Sequence, residues 1–345
     1  MQNEGHVALY RKYRPSAFKD VRNQDHIVSV LEGAIEKNAI PHALLFTGSR
    51  GTGKTTVARI FAREIGADEI DIYEVDAAST RGIDSIRELQ EAAYTLPYKS
   101  AYKVYIIDEV HMLTKEAFNA FLKTLEEPPA HVIFILATTE ADKLLDTITS
   151  RCQVFQFRAP SREVLRTAAL DVAKKEKFKL TADGADIIAI AADGSFRDML
   201  GVVQKVIMAS KDATADADEV ARIVGAPKSA LLGELMSALG EKNATNALAS
   251  VKDAVMANVD MKLFTELLLE RLRSVILYRL TKDGTVLAAY SERDREAMEK
   301  EALLTNSAIN SKLLERFLKA GESLGKTYLP QLPLELAIVD VCSTP

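Results

Sequence analysis

The run Gly48-Ser49-Arg50-Gly51-Thr52-Gly53-Lys54-Thr55 constrains this chain more than any other feature, because it matches G-x-x-x-x-G-K-[ST] between an apolar segment and a helical one. Such a loop needs a strand that ends at its first glycine and a helix that opens at its lysine. The glycines let successive backbone N–H groups turn toward phosphate oxygens, and the helix N-terminus adds its positive dipole. Lys54 is expected to contact the β and γ phosphates of a nucleotide, and the Thr55 hydroxyl to coordinate Mg²⁺. Gly48, Ser49, Arg50, Gly51, Thr52, Gly53 and Thr56 complete the candidate phosphate site.

Residues 42–48, 69–76, 103–108, 131–139 and 152–158 are rich in Ile, Val, Phe and Tyr and predict strands, and the stretches between them carry helix signals. That alternation predicts an α/β fold with a parallel sheet covered on both faces. Val104-Tyr105-Ile106-Ile107-Asp108-Glu109 reads as a buried strand ending in two acids, at the carboxyl edge where such sheets bind ligands. Asp108 is expected to hold Mg²⁺ through water, and Glu109 to orient and deprotonate an attacking water. Thr138-Thr139 closes the fourth strand, where a hydroxyl either reaches the γ-phosphate or its water, or simply caps the strand end. Taken alone, Arg151 in Ser150-Arg151-Cys152 and Arg197 in Gly194-Ser195-Phe196-Arg197-Asp198 read as surface residues.

After Pro160 the pattern becomes helical. Ser161 and Thr181 are candidate N-caps, Gly194 a stop, and Gly225-Ala226-Pro227 a break. The expected domains are therefore 1–159, 160–226 and 227–345. In the last, Phe264, Leu268, Leu272 and Val275 form a stripe that Leu269, Ile276 and Leu280 widen, and Leu334, Ala337, Ile338 and Val341 repeat at helical spacing. So wide a band is either a bundle core or a subunit interface.

With 345 residues, 48% of them apolar, the chain can bury two or three cores, which argues against disorder as its main state. A net charge of −5 argues against a surface devoted to nucleic acid. Residues 1–65, however, carry ten Lys/Arg and six Asp/Glu, an excess that points anionic ligands there. Cys152 and Cys342 stand 190 positions apart, so neither a disulfide framework nor a structural zinc is expected, and a reducing cytosol fits. No apolar run exceeds six residues and the N-terminus lacks a signal pattern, so no membrane association is expected.

Tyr10-Arg11-Lys12-Tyr13-Arg14-Pro15, residues 48–55, Asp108-Glu109-Val110-His111-Met112-Leu113, Leu125-Glu126-Glu127-Pro128-Pro129, Ser150-Arg151-Cys152 and residues 194–198 together resemble the bacterial clamp-loader ATPases. The resemblance is strong from residue 8 to about 226, and weaker beyond, through Tyr328-Leu329-Pro330. It implies an AAA+ parallel-sheet ATPase domain, a helical lid and an all-helical collar for oligomerisation. It implies that Thr139 is a sensor, that Arg197 is a second sensor reaching the γ-phosphate of its own subunit, and that Arg151 is an arginine finger acting on ATP of the neighbouring subunit. Tyr10, Arg14, Pro15, Asp20 and Val21 would cradle the adenine. The implied cofactors are ATP and Mg²⁺, without zinc. The implied partners are other clamp-loader subunits in a pentamer-like ring or homo-oligomer, a sliding clamp, and primer–template DNA gripped at its phosphates. The expected place is the cytoplasm, at the nucleoid during replication.

Longer members reach the polymerase and helicase through a long basic or Pro-rich tail, and the sequence given stops at Pro345, before such a tail. Other departures are Ile65-Gly66-Ala67-Asp68-Glu69, which runs directly where bacterial members usually insert a four-cysteine zinc module, Asn23-Gln24 in place of Gly-Gln, and Ser49 in place of Pro. None removes a nucleotide ligand. Arg81 and Arg87 are candidate DNA contacts, or part of a solvated helix face. The alternatives are another AAA+ machine, such as a branch-migration motor or an unfoldase, or a non-catalytic scaffold; intact Lys54, Thr55, Asp108 and Glu109 argue against the scaffold.

Overall fold

The computed structural model describes residues 7–287, 290, 292–304 and 307–343. Residues 1–6, on which the absence of a signal pattern partly rests, and Pro345 lie outside them. The chain divides into two compact units, Met1–Ser161 with Gly194–Arg197, and Arg162–Asp193 with Asp198–Pro345.

The first unit alternates α1 (Leu9–Lys12), α2 (Asp25–Glu36), β1 (Ala43–Thr47), α3 (Lys54–Glu64), β2 (Ile72–Asp76), α4 (Ile83–Ala93), β3 (Lys103–Asp108), α5 (Lys115–Glu126), β4 (Val132–Thr138), α6 (Asp146–Thr149) and β5 (Gln153–Gln156). All five strands are parallel, in the order β2-β3-β4-β1-β5. Both faces are apolar. Leu44, Phe46, Val104, Ile106, Ile133 and Ile135 pack with Ile27, Leu31, Val57 and Phe61. Leu45, Tyr105, Ile107, Phe134 and Leu136 pack with Ile86, Phe118 and Phe121 on the other side. Successive strand residues point to opposite faces, so a sheet covered twice reads in sequence as unbroken apolar runs. Each such side chain contributes about 1.5–3 kcal/mol of burial. The second predicted strand is shorter than expected, because Glu69–Asp71 is a 3₁₀ turn in which Asp68 accepts the Ile70 N–H.

The second unit holds α7 (Arg162–Lys175), α8 (Ala182–Ala191), α9 (Phe196–Ala209, whose first two residues belong to the first unit), α10 (Ala217–Val224), α11 (Ser229–Gly240), α12 (Ala244–Met256), α13 (Met261–Thr281), α14 (Glu292–Leu303), α15 (Ser311–Ser323) and α16 (Leu332–Ser343). Thr181 caps α8 by accepting the Gly184 N–H, and Gly225, at φ +78°, ends α10 in the left-handed region. The expectation of helices alone misses β6 (Lys179–Leu180) and β7 (Thr214–Ala215), a parallel pair too short to show a period. Phe264, Leu268, Leu272 and Val275 are fully buried with Leu334 and Ile338, so this part of the stripe is core, and Leu269 and Ile276 pack against it. Leu280 stands 76% exposed, outside that core. No helix among the described residues is long and apolar enough to cross a membrane.

Candidate nucleotide-binding site

The loop between β1 and α3 takes its shape from two glycines that nothing larger could replace. Gly48 has φ +138°, and a Cβ there would stand 2.5 Å from the Phe157 carbonyl oxygen. Gly51 has φ +75°, and its Cβ would stand 1.9 Å from Ser195 Oγ, where the Phe196 N–H donates to the Gly51 carbonyl at 3.1 Å. Gly53, at φ +104°, caps α3 and opens onto free space. Thr52 Oγ1 donates to the Ser49 carbonyl at 2.9 Å, while Ser49 and Arg50 are exposed at the tip. Lys54 Nζ is buried and donates to the carbonyls of Gly48 (2.7 Å) and Ser49 (2.9 Å). Burial lowers its pKa, against the opposing pull of Glu109 and Asp108. A desolvated cation held only by neutral carbonyls has much to gain from an anion in the cradle.

The paired acids meet this loop from the end of β3, and Thr139 joins them from the exit of β4. Thr55 Oγ1 donates to Asp108 Oδ2 at 2.9 Å, and the Glu109 N–H donates to Asp108 Oδ1 at 3.0 Å. Glu109 adopts the left-handed φ of +48°, a conformation that costs a non-glycine residue about 1 kcal/mol. Its Oε2 accepts from Thr139 N at 3.1 Å and from Thr139 Oγ1 at 2.8 Å, which ties the end of β3 to the exit of β4. Two adjacent hard oxygens, from Thr55 and Asp108, suit a Mg²⁺ ion that keeps waters and phosphate oxygens as its other ligands. No group of three or more His, Cys, Asp or Glu side chains able to hold a metal occurs among the described residues.

Three further expected residues gather here. Arg14 Nε donates to Thr56 Oγ1 at 3.0 Å, and burial foremost, with Arg59 beside it, holds its pKa below the ordinary value. The Arg197 guanidinium lies over the Tyr10 ring, 5.3 Å from its centroid. Pro15 follows half-buried, Asp20 is exposed at the end of a short 3₁₀ turn, and Val21 packs into the core beneath β1. Gln24, noted in the sequence only within Asn23-Gln24, is fully buried and clamps the Arg158 backbone from both sides: its Nε2 donates to the carbonyl at 2.8 Å, and its Oε1 accepts the N–H at 3.2 Å. Asn23 precedes it at φ +65°, a conformation asparagine tolerates, so Asn-Gln can stand where Gly-Gln is usual.

Arg151 stands apart. β5 pairs with β1 from Gln153 opposite Leu44, so Arg151 lies level with the start of β1, and the phosphate loop lies past its end. The five residues of β1 separate them by about 17 Å. Arg151 forms an ion pair with Glu126 and donates from Nη1 to the Thr147 carbonyl at 2.7 Å. Glu126 was not singled out in the sequence, although it lies in the Leu-Glu-Glu-Pro-Pro segment. Burial pushes the adjacent Cys152 thiol up to about 11. Arg81 donates to the Ala78 carbonyl and Arg87 lies 3.6 Å from Asp84; both are exposed at the start of α4.

A family profile described as DNA polymerase III, delta subunit, matches residues 66–161, and one described as DNA polymerase III subunits gamma and tau domain III matches residues 215–345. DNA polymerase III subunit tau of Bacillus subtilis is 34% identical over 98% of this chain and 63% of its own length. DNA polymerase III subunit gamma/tau of Mycobacterium tuberculosis is 34% identical over 96% of this chain and 61% of its own. The chain thus spans about three fifths of the length of these relatives. Among solved structures, the Holliday junction branch migration motor RuvB of Thermotoga maritima shares the fold, with TM-score 0.52 at 18% identity over 70% of this chain and 85% of that one. Similarity runs along nearly the whole chain, with the gamma and tau profile on its helical second unit, so that this chain is similar throughout to bacterial DNA polymerase III gamma and tau subunits.

Proposed function

We propose that this chain is an ATP-hydrolysing clamp-loader subunit, which uses ATP binding and hydrolysis to open a sliding clamp and set it on primer–template DNA. The observation that carries this reading is the convergence of the Thr55–Asp108 and Glu109–Thr139 bonds beside the phosphate loop, in a chain that aligns almost end to end with gamma and tau subunits. Residues 48–56 bind the triphosphate, with Lys54 leaving its loop carbonyls for the β and γ phosphates. Thr55 and Asp108 would hold Mg²⁺, which when bound neutralises phosphate charge. Glu109 accepts the proton of the attacking water while Thr139 fixes its carboxylate. Tyr10, Arg14, Pro15, Asp20 and Val21 shape the base side, and Arg197 reaches from its place over Tyr10 to the γ-phosphate.

Arg151 cannot serve its own loop across the length of β1, which favours its delivery to the ATP of a neighbouring subunit. Residues 160–226 then act as a lid and 227–345 as a collar that joins subunits. The clamp, the DNA phosphates and the other loader subunits are the proposed partners, with Arg81 and Arg87 as candidate DNA contacts. The test is ATP turnover by the assembled complex, with and without clamp and primer–template DNA. Stimulation by both is expected, and turnover indifferent to both would refute the reading.

A further inference from the structure

His111 is a polar neighbour of the acid pair that the chemistry above leaves unused. It sits in the 3₁₀ turn Val110–Met112 that follows Glu109, with its side chain only 5% exposed. Nδ1 lies 2.9 Å from Thr138 Oγ1 and 3.4 Å from Glu109 Oε2. Nε2 lies 3.1 Å from Glu140 Oε1, and the other Glu140 oxygen pairs with Lys143 at 2.7 Å. Thr138 Oγ1 also accepts the Glu140 N–H at 3.0 Å. The ring therefore bridges the ends of β3 and β4, and one of its nitrogens approaches the same Glu109 oxygen that Thr139 holds. A side chain that merely filled this space would be apolar, because burying an imidazole sacrifices its hydration. Each nitrogen here faces a hydroxyl or a carboxylate instead. With a proton on each, Nδ1–H donates between Thr138 Oγ1 and Glu109 Oε2, and Nε2–H donates to Glu140.

We propose that His111 is a positioning residue for Glu109. Its Nδ1 edge and Thr139 converge on Oε2 and fix the rotamer of the carboxylate, which assigns the attacking water to Oε1. Its Nε2 edge anchors the ring through Glu140 and Lys143. The inference rests on the reading of Glu109 as the group that orients this water.

The test compares two substitutions in the assembled complex, at saturating clamp and primer–template DNA. His111→Asn keeps a nitrogen near the place of Nδ1 and gives up Nε2; His111→Gln does the reverse. The expected result is a kcat lower by about tenfold for His111→Gln, an ATP Kd within about twofold of wild type in both, and recovery of most turnover by His111→Asn. The opposite ranking, wild-type turnover in both, or equal losses accompanied by weakened ATP binding would overturn the proposal. A second readout needs no turnover: in protein carrying ¹⁵N-histidine, Glu109→Gln should shift the His111 Nδ1 resonance, and an unmoved resonance would count against the contact. Absence of ATP hydrolysis by the wild-type complex would refute the underlying reading of Glu109, a failure distinct from either result for His111.

Discussion

Asp71 in the first unit and Glu301 in the second are both carboxylates drawn away from water, yet they are displaced in opposite directions. Burial alone would raise Asp71. It nevertheless lies far below the usual carboxylate range, because it accepts from Ser100 Oγ (2.6 Å) and from the N–H groups of Tyr98 (2.6 Å), Lys99 (2.9 Å) and Ser100 (2.9 Å). Glu301 lies within α14, its Oε2 is buried without a hydrogen-bond partner, and burial pushes it up to about 7 despite Arg271 nearby. The difference follows from where backbone donors remain available. A helix consumes its own N–H groups, whereas loops at sheet edges and the first turns of helices leave theirs free. Asp108 and Glu109 resemble Asp71 in this respect, since each also accepts a backbone N–H. In the α/β unit, buried charge is therefore placed to hold a loop or meet a ligand, whereas at Glu301 the bundle bears it as a cost.

This contrast would break if removing charge from the first unit proved harmless. Lys54→Ala should reduce nucleotide affinity by at least about 100-fold, since charge-assisted phosphate contacts disappear together; titration with a fluorescent nucleotide measures it, and wild-type affinity would contradict the site. Arg151→Ala should leave that affinity unchanged and lower turnover of the assembly by about 10³-fold, as expected of a charge supplied across an interface. Loss of binding by the isolated chain would contradict the trans role.

Asp71→Ala should destabilise the first unit by about 3 kcal/mol at pH 7, by stranding buried donors, as read in urea unfolding. Because the folded pKa is depressed, this difference should be complete above about pH 4 and shrink as the pH falls below it. Glu301→Gln sharpens the comparison from the other side. Its folded pKa is raised, so the wild-type stabilisation is complete below about pH 4 and is lost as the pH rises through 7. The variant should match wild type near pH 4 and exceed it by about 1–2 kcal/mol at pH 8. A variant less stable than wild type at pH 8 would place Glu301 with Asp71.

Much of the first unit was legible because its information is local. Glycines 48, 51 and 53 have positive φ, and the apolar runs have the length of buried strands. What escaped notice lies in contacts between distant segments. Gln24 meets Arg158 across 134 positions, Asp71 meets residues 98–100 across 27 to 29, and Arg151 meets Glu126 across 25. No spacing rule joins such residues, since only the folded sheet brings them together. In the second unit the stripe on α13 is visible, but its period cannot separate core from interface; burial places all of it except Leu280 in or against the core. His111 belongs to a motif that assigns it no task, because Thr138 and Glu140, which anchor its ring, stand at the end of the next strand in space.

The separation of Arg151 from the phosphate loop by the length of β1 has a consequence for symmetry. A two-fold pairing brings the same patch of each copy together, so donor and receptor would have to share one face. With Arg151 serving a neighbour's nucleotide as proposed, a donor and a receptor at opposite ends of the same sheet call for head-to-tail repetition, a heterologous contact that either closes into a ring, with every receptor served, or climbs as a spiral, with one left over. In an open spiral the terminal subunits are inequivalent, one presenting an unused arginine and the other an unanswered nucleotide. Such an assembly has a polarity that each chain already carries within its own sheet.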